Sequence, residues 1–191
     1  MKKLGIYVHI PFCIRKCNYC DFYSVKWNEE LENKFVSSVV KEIKNYKKDL
    51  NTKYSADTIY FGGGTPTIIN PDNLYKIISE INDTFILTKL SEISMEANPN
   101  TLTSENLKSY KKIGINRLSI GIQSLNDLIL QNIGRLHDSK KALEAIDMAK
   151  MIGFDNINAD VMFNIPGQTV KDIEDTVNKI IEHEVRHISF Y

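Results

Sequence analysis

Cys13-x3-Cys17-x2-Cys20 gathers three thiols into eight residues, and they are all the cysteines the chain has. An odd number of thiols cannot close entirely into internal disulfides, so a metal is the first use to weigh for so tight a group. Thiolates are soft ligands suited to zinc, copper(I) or iron–sulfur clusters. Structural zinc asks for four protein ligands, and His9, four residues before Cys13, is the nearby candidate for a fourth. Burial as plain core cysteines fits poorly with Arg15, Lys16 and Asn18 between them. A cubane [4Fe–4S] cluster on three thiolates keeps one iron without a protein ligand. Such an open iron is a place for something else to bind, by the logic that separates catalytic from structural zinc sites.

Other residues carry chemistry at a distance from the thiols. Gly62-Gly63-Gly64-Thr65-Pro66 offers backbone without side chains for close approach of a ligand, or simply a turn. It lacks the Lys-Ser/Thr ending of a phosphate-binding loop. Glu96 and Asp160 are carboxylates in otherwise apolar segments. They are either satisfied acceptors of the fold or acceptors for an amine or ribose hydroxyls. Arg135 is one of four arginines against twenty lysines. It is either a surface cation or a choice for bidentate carboxylate geometry. Tyr7 and Tyr19 default to packing, His9 to a structural role, and Lys41, Lys44, Lys47 and Lys48 to a solvated helix face.

These residues need a scaffold, and the sequence alternates strand-like with helix-like segments. Strands are expected at Leu4–Ile10, Ala56–Phe61, Glu92–Ala97, Arg117–Ile122, Asn158–Phe163 and His187–Tyr191. Leu31, Phe35, Val39 and Ile43 form one stripe of a helix over Glu29–Leu50. Asn70 as N-cap and Pro71 at the first helical position start a helix running to about Thr84. Further helices cover Thr103–Ile113, Asp127–Ile133 with Ser139–Ile152, and the segment carrying Val170, Ile173, Val177, Ile180 and Ile181. Lys112-Ile113-Gly114-Ile115-Asn116 is echoed 39 residues later by Met151-Ile152-Gly153-Phe154-Asp155, as repeated βα units would give. Several strands lack clean alternation, as covered sheets do. The pattern implies a parallel α/β barrel or doubly wound sheet, with chemistry at the C-terminal ends of the strands. The cysteines, the glycines, Glu96 with Asn98, Gln123 and Asp160 all fall there.

Composition narrows the function classes. The chain has 191 residues, 42% hydrophobic, with 24 basic side chains balancing 24 acidic ones. That length supports one domain with a packed core, and the charged fraction is that of a globular protein. Zero net charge argues against a general nucleic-acid or membrane-surface binder. No apolar run approaches the roughly 18 residues of a membrane span, and no signal-peptide cleavage site follows the N-terminal Met1-Lys2-Lys3. The chain reads as cytosolic.

The cysteine spacing after a first strand resembles the signature of the radical S-adenosylmethionine superfamily. Around it, Tyr7-Val8-His9-Ile10-Pro11-Phe12-Cys13, Cys17-Asn18-Tyr19-Cys20-Asp21-Phe22 and Tyr60-Phe61-Gly62-Gly63-Gly64-Thr65-Pro66-Thr67 resemble the oxygen-independent coproporphyrinogen III oxidase-like family. Glu96-Ala97-Asn98-Pro99, Gly121-Ile122-Gln123-Ser124 and Asn158-Ala159-Asp160 continue the match in the family's order. The resemblance implies an α/β fold, a partial parallel (β/α)6 barrel. It implies a [4Fe–4S] cluster on Cys13, Cys17 and Cys20, whose open iron chelates S-adenosylmethionine for reductive cleavage to methionine and a 5′-deoxyadenosyl radical. It assigns Tyr7, Tyr19, Gly63, Gly64, Thr65, Glu96, Gln123 and Asp160 to the cofactor, with Tyr19 beside the adenine. Arg135 joins them and meets a substrate carboxylate.

Two branches of the family differ in function. One is the oxidase, an oxidoreductase that decarboxylates porphyrinogen propionates to vinyl groups in porphyrin biosynthesis. The other is a heme chaperone that shares the barrel and cluster but binds and delivers heme. Oxidases carry a further cysteine two residues after the third, where this chain has Phe22, and an extension before the first strand, which here begins at about Leu4. Both departures favour the chaperone branch. The implied partners are heme or a porphyrinogen, a reductant such as flavodoxin or ferredoxin, and a heme-accepting protein. The family continues into a further C-terminal domain, so residues 1–191 are expected to be the radical barrel domain alone.

Overall fold

A computed structural model describes residues 2–50 and 54–191, with side chains at all of these except 48–50 and 86–90. In chain order the elements are β1 (Lys2–Ile10), β2 (Phe12–Cys13), β3 (Val25–Lys26), α1 (Glu29–Leu50), β4 (Tyr54–Gly63) and α2 (Pro71–Thr84). They continue as β5 (Ile86–Ala97), α3 (Ser104–Lys112), β6 (Arg117–Gln123), α4 (Asp127–Asn132), α5 (Ser139–Met151), β7 (Asn156–Val161), α6 (Val170–Glu182) and β8 (His187–Phe190). Six strands form one sheet in the order β1-β4-β5-β6-β7-β8, and every neighbouring pair is parallel. Strand order follows chain order, the arrangement of an unclosed βα barrel whose edges are β1 and β8. The expected fold class is therefore found.

Burial explains the missing alternation. All residues of β6 after Arg117 are buried, so this central strand is covered on both faces. Ile59, Phe61, Met95, Leu118, Ile120 and Val161 from the strands are fully enclosed, with Leu74, Ile77 and Ile81 of α2 and Ala142, Ile146 and Ala149 of α5. Each large aliphatic side chain so enclosed contributes about 1.5–3 kcal/mol.

Several expected boundaries shift. Gly62 and Gly63 do not stop β4 but belong to it, pairing with His9 and Ile10 of β1. β7 begins two residues early at Asn156 and ends at Val161, so Met162 and Phe163 lie in the following loop. β8 ends at Phe190. The two-residue β2–β3 ladder was not expected, being too short for any periodicity. On α1 the buried line is Glu32, Val36 and Ile43, while Leu31 is exposed. Lys41, Lys44 and Lys47 are exposed as expected; Lys48 lies outside the described side chains.

The glycine echo has a definite geometry. Gly114 and Gly153 take φ of 100° and 93°, each donating its N–H three residues back, to Lys111 O and Lys150 O. The next residues, Ile115 and Phe154, donate five back to Tyr110 O and Ala149 O. This is the Schellman motif, which satisfies the last carbonyls of a helix. α4 ends in the same way through Gly134 (φ 78°) and Arg135, and α6 through Glu184 (φ 54°) and Val185.

Candidate functional site

The cysteine loop leaves the C-terminal end of β1 and is pinned at its start and in its middle. Cys13 ends β2, where its carbonyl accepts from Trp27 N at 3.0 Å. In the middle, Asn18 docks onto the C-terminus of α4: its N–H donates to Ile133 O at 3.1 Å and its amide Nδ2 to Asn132 O at 3.2 Å. Two of the orphan carbonyls that any helix presents at that end thus hold the residue next to Cys17. Gly134 permits the contact, because a Cβ there would stand 3.1 Å from the Asn18 amide carbon and oxygen. Gly134→Ala therefore combines a strained positive φ with a crowded neighbour, and is expected to cost about 1–2 kcal/mol. Chemical denaturation checks the cost, and iron uptake in the same samples checks whether the loop has loosened.

Glu96, at the end of β5, accepts from Tyr60 Oη at 2.9 Å on one oxygen and from Gly63 N at 3.1 Å on the other. Gly63 takes φ 113°, and a Cβ on it would lie 2.6 Å from the His9 ring, so no other residue fits. Next door, Gly64 N and Thr65 N donate to Ile10 O and Phe12 O, each at 2.7 Å, and Thr65 Oγ1 lies 3.5 Å from Cys13 Sγ. On β7, both oxygens of Asp160 accept from Ser119 Oγ, at 3.2 and 3.1 Å, and one also accepts from Asn158 Nδ2 at 2.7 Å. Gln123, at the end of β6, accepts from Tyr191 Oη at 2.7 Å.

Arg135 bridges these groups to the cysteine loop. It is the residue after the Schellman glycine of α4, and Nη2 donates to Gly121 O at 2.7 Å. Nη1 faces Tyr19 Oη at 3.5 Å and Cys17 Sγ at 3.8 Å. Its buried Nε finds no partner among the described residues.

Cys13, Cys17, Tyr19, Cys20, Gly63, Gly64, Thr65, Glu96, Gln123, Arg135 and Asp160 all line one cavity of about 340 Å³. Tyr7 does not line it. That ring is exposed and stacks on Tyr60 at 6.1 Å, while its hydroxyl bonds His9 Nδ1. His9 also bonds Tyr23 O, in keeping with a structural role. Tyr60, Ser119 and Tyr191 line the cavity without having been singled out from sequence. Parity was the available signal: Ser119 shares a strand face with Gly121 and Gln123, and Tyr60 with Gly62.

Burial sets the electrostatics. It raises the pKa of Glu96 and of Asp160, against the opposing hydrogen bonds that each accepts. Burial likewise pushes Tyr19 up to about 12, with Arg135 pulling the other way, and raises Tyr60 and Tyr191. The tyrosines stay neutral donors; the carboxylates are ready acceptors for a cationic or hydroxyl-bearing ligand.

The donor set suits an iron–sulfur cubane. The three thiols are unpaired and half-buried, and share one cavity. Among the described residues no three His, Cys, Asp or Glu side chains converge on a single ion. A cubane does not ask for that, since each thiolate binds its own iron. The side-chain-free glycine edge, two carboxylates and a guanidinium with a free buried N–H provide polar partners for a small zwitterion beside it.

A parallel βα sheet bearing this cysteine loop at the end of its first strand defines a radical SAM domain. The profile of the radical SAM superfamily matches residues 7–180, and the chain belongs to that superfamily. Membership implies a [4Fe–4S] cluster and S-adenosylmethionine. Within it, the chain is 39% identical over 189 residues to the heme chaperone HemW of Buchnera aphidicola subsp. Acyrthosiphon pisum, covering 98% of this chain and 50% of that protein. It is 38% identical over 191 residues to HemW of Bacillus subtilis, covering 97% and 49%. Among solved structures, coproporphyrinogen III oxidase (HemN) from Escherichia coli, a radical SAM enzyme, superposes with a TM-score of 0.90 at 25% identity. The match covers 100% of this chain and 44% of that one. The chain thus spans about half the length of the curated relatives it matches. No helix among the described residues is long and apolar enough to cross a membrane.

Proposed function

We propose that this chain is the cluster- and cofactor-binding part of a heme chaperone of the HemW type. One observation carries the reading: the three thiols of the Cys13-x3-Cys17-x2-Cys20 loop share a cavity with Glu96, Asp160, Gln123 and Arg135. In this reading Cys13, Cys17 and Cys20 hold a [4Fe–4S] cluster. Gly63, Gly64 and Thr65 offer backbone and hydroxyl groups to S-adenosylmethionine, and Glu96 and Asp160 accept from its amine and ribose. Gln123 and Tyr19 flank it, Arg135 meets a carboxylate, and Tyr7 supports Tyr60 from the rim. Given one electron from an external reductant, the bound pair would supply reductive cleavage of the sulfonium. Before any such chemistry, the residues of the chain keep the cavity polar, dock the loop through Asn18, and hold two carboxylates ready for a cation.

The chaperone reading rests on the likeness to HemW proteins and on Phe22, 65% exposed at the cavity mouth where the oxidase branch has cysteine. The structural match to HemN favours the oxidase as the second reading. Cluster-reconstituted full-length protein is expected to bind heme and to leave coproporphyrinogen III unchanged. Formation of vinyl product at catalytic rates would establish the oxidase instead.

The raised carboxylates make ligand binding pH-dependent. The folded chain holds the Glu96 and Asp160 protons more tightly than the unfolded chain, whose values lie near 4.5 and 3.8. Without ligand, their contribution to stability therefore grows as pH falls through the raised values. Affinity for a cationic ligand runs the opposite way and is lost over the same range. Equilibrium dialysis of S-adenosylmethionine across a pH series is expected to show the decline starting above the ordinary carboxylate range. It should be blunted in Glu96→Gln, and an identical profile in that variant would remove Glu96 from the site.

A further inference from the structure

Arg135 and His137 alternate along the segment between α4 and α5 and grip consecutive carbonyls at the end of β6. Arg135 Nη2 holds Gly121 O at 2.7 Å, and His137 Nε2 donates to Ile122 O at 3.2 Å. Ile122 O also accepts from Ser124 N at 2.9 Å, which closes a three-residue γ-turn centred on Gln123. Gln123 takes φ 68° there, in the left-handed region that residues with a Cβ avoid. The turn also breaks the sheet register: Gly121 pairs with Asp160, and Gln123 with the very next residue, Val161. Strained backbone of this kind persists only where its surroundings impose it.

His137 meets the turn from outside the sheet, at the carbonyl that closes it. It is 4% exposed, and with Nε2 donating, Nδ1 is left without a partner among the described residues. Burial, and secondly the charge of Arg135, hold its pKa down to about 4, so the ring is a neutral single donor. An aliphatic side chain would fill the volume without stranding a ring nitrogen, so packing alone does not account for a histidine here. The consequence of the turn is directional, since it places the Gln123 side chain in the cavity against Tyr191.

We propose that His137 is a positioning residue: by fixing the γ-turn at Gln123 it sets the affinity of the cavity for S-adenosylmethionine. This rests on the reading of Gln123 as a cofactor contact. The test measures S-adenosylmethionine affinity of the anaerobically reconstituted full-length protein by equilibrium dialysis, with iron content and unfolding midpoint in parallel. His137→Leu is expected to weaken binding about 10-fold with iron content unchanged. His137→Gln, whose amide can reach the same carbonyl, should stay within about 3-fold of the parent. In a Gln123→Ala background, His137→Leu should cost nothing further, because the two act as one unit. Parent-like affinity in His137→Leu, or a full additive loss on top of Gln123→Ala, overturns the proposal. If His137→Leu does not fold, His137→Asn replaces it: its amide is too short for Ile122 O, the same loss is expected, and parent-like affinity overturns the proposal. Undiminished affinity in Gln123→Ala would overturn the underlying placement of Gln123, a different failure from the loss of His137 as its support.

Discussion

Cys17→Ala is expected to abolish iron–sulfur loading while leaving the sheet intact. Among the described residues Cys17 belongs to no hydrophobic core cluster, and its side chain meets Arg135 Nη1 at a long 3.8 Å. Truncating a half-exposed side chain of this kind costs well under about 1 kcal/mol. For a cluster the change is decisive, because two thiolates cannot do the work of three and these 191 residues hold no fourth cysteine. Iron and sulfide analysis after anaerobic reconstitution should read near zero, with circular dichroism and the unfolding midpoint close to the parent. Dithionite and S-adenosylmethionine should then give no 5′-deoxyadenosine. Full iron retention in this variant would refute the ligand assignment.

The largest effect on stability is expected at a residue with no part in the chemistry. Glu32 on α1 is 2% exposed and receives three donors: Trp27 Nε1 at 2.6 Å, Asn70 N at 2.9 Å and Asn73 Nδ2 at 2.8 Å. It ties α1 both to the N-terminus of α2 and to the segment leaving the cysteine loop. Glu32→Ala strands Trp27 Nε1 and Asn70 N, while Asn73 keeps a 3.2 Å contact to Asn33. Trp27 and Asn70 are partly open to water, so each lost hydrogen bond to the charged carboxylate costs about 1–2 kcal/mol, giving a total of roughly 2–4 kcal/mol. In a chain of this size that lowers the unfolding midpoint by roughly 10 °C. Trp27 is the sole tryptophan, so its fluorescence should report the loss of its partner directly. Because Trp27 N holds the Cys13 carbonyl, iron uptake should slow as well. A midpoint within about 2 °C of the parent would show that water replaces Glu32 without penalty.

Glu32 also shows where sequence reading runs out. Hydrophobic periodicity placed α1 at Glu29–Leu50 correctly but put Leu31 on its inner face, because the method cannot see a buried carboxylate satisfied by distant donors. Local signals did better. Asn70 with Pro71 and the glycines at 114 and 153 marked helix ends to within a residue or two, since caps and Schellman turns depend on neighbours in the chain. Most of the site was legible too, because its residues sit in short motifs at strand ends. Tyr60 and Ser119 were legible only through strand parity, which shows a shared face but not whether that face meets a cavity, and Tyr191, just past β8, had no such signal. Nor could sequence show the γ-turn at Gln123, which His137 and β7 meet from elsewhere in the fold.

The docking of Asn18 onto the end of α4 spans 114 positions of the chain. During synthesis at about 5–20 residues per second, the loop emerges roughly ten seconds before its anchor exists. Throughout that interval Cys17 and Cys20 lack the anchor that Asn18 provides, while Cys13 already has its short-range partners in β3 and Trp27. Loop closure over such a separation comes late in folding. Asn18 can therefore dock only after the first four strands of the large sheet and α4 have been synthesised, so the pinned form of the loop is completed late.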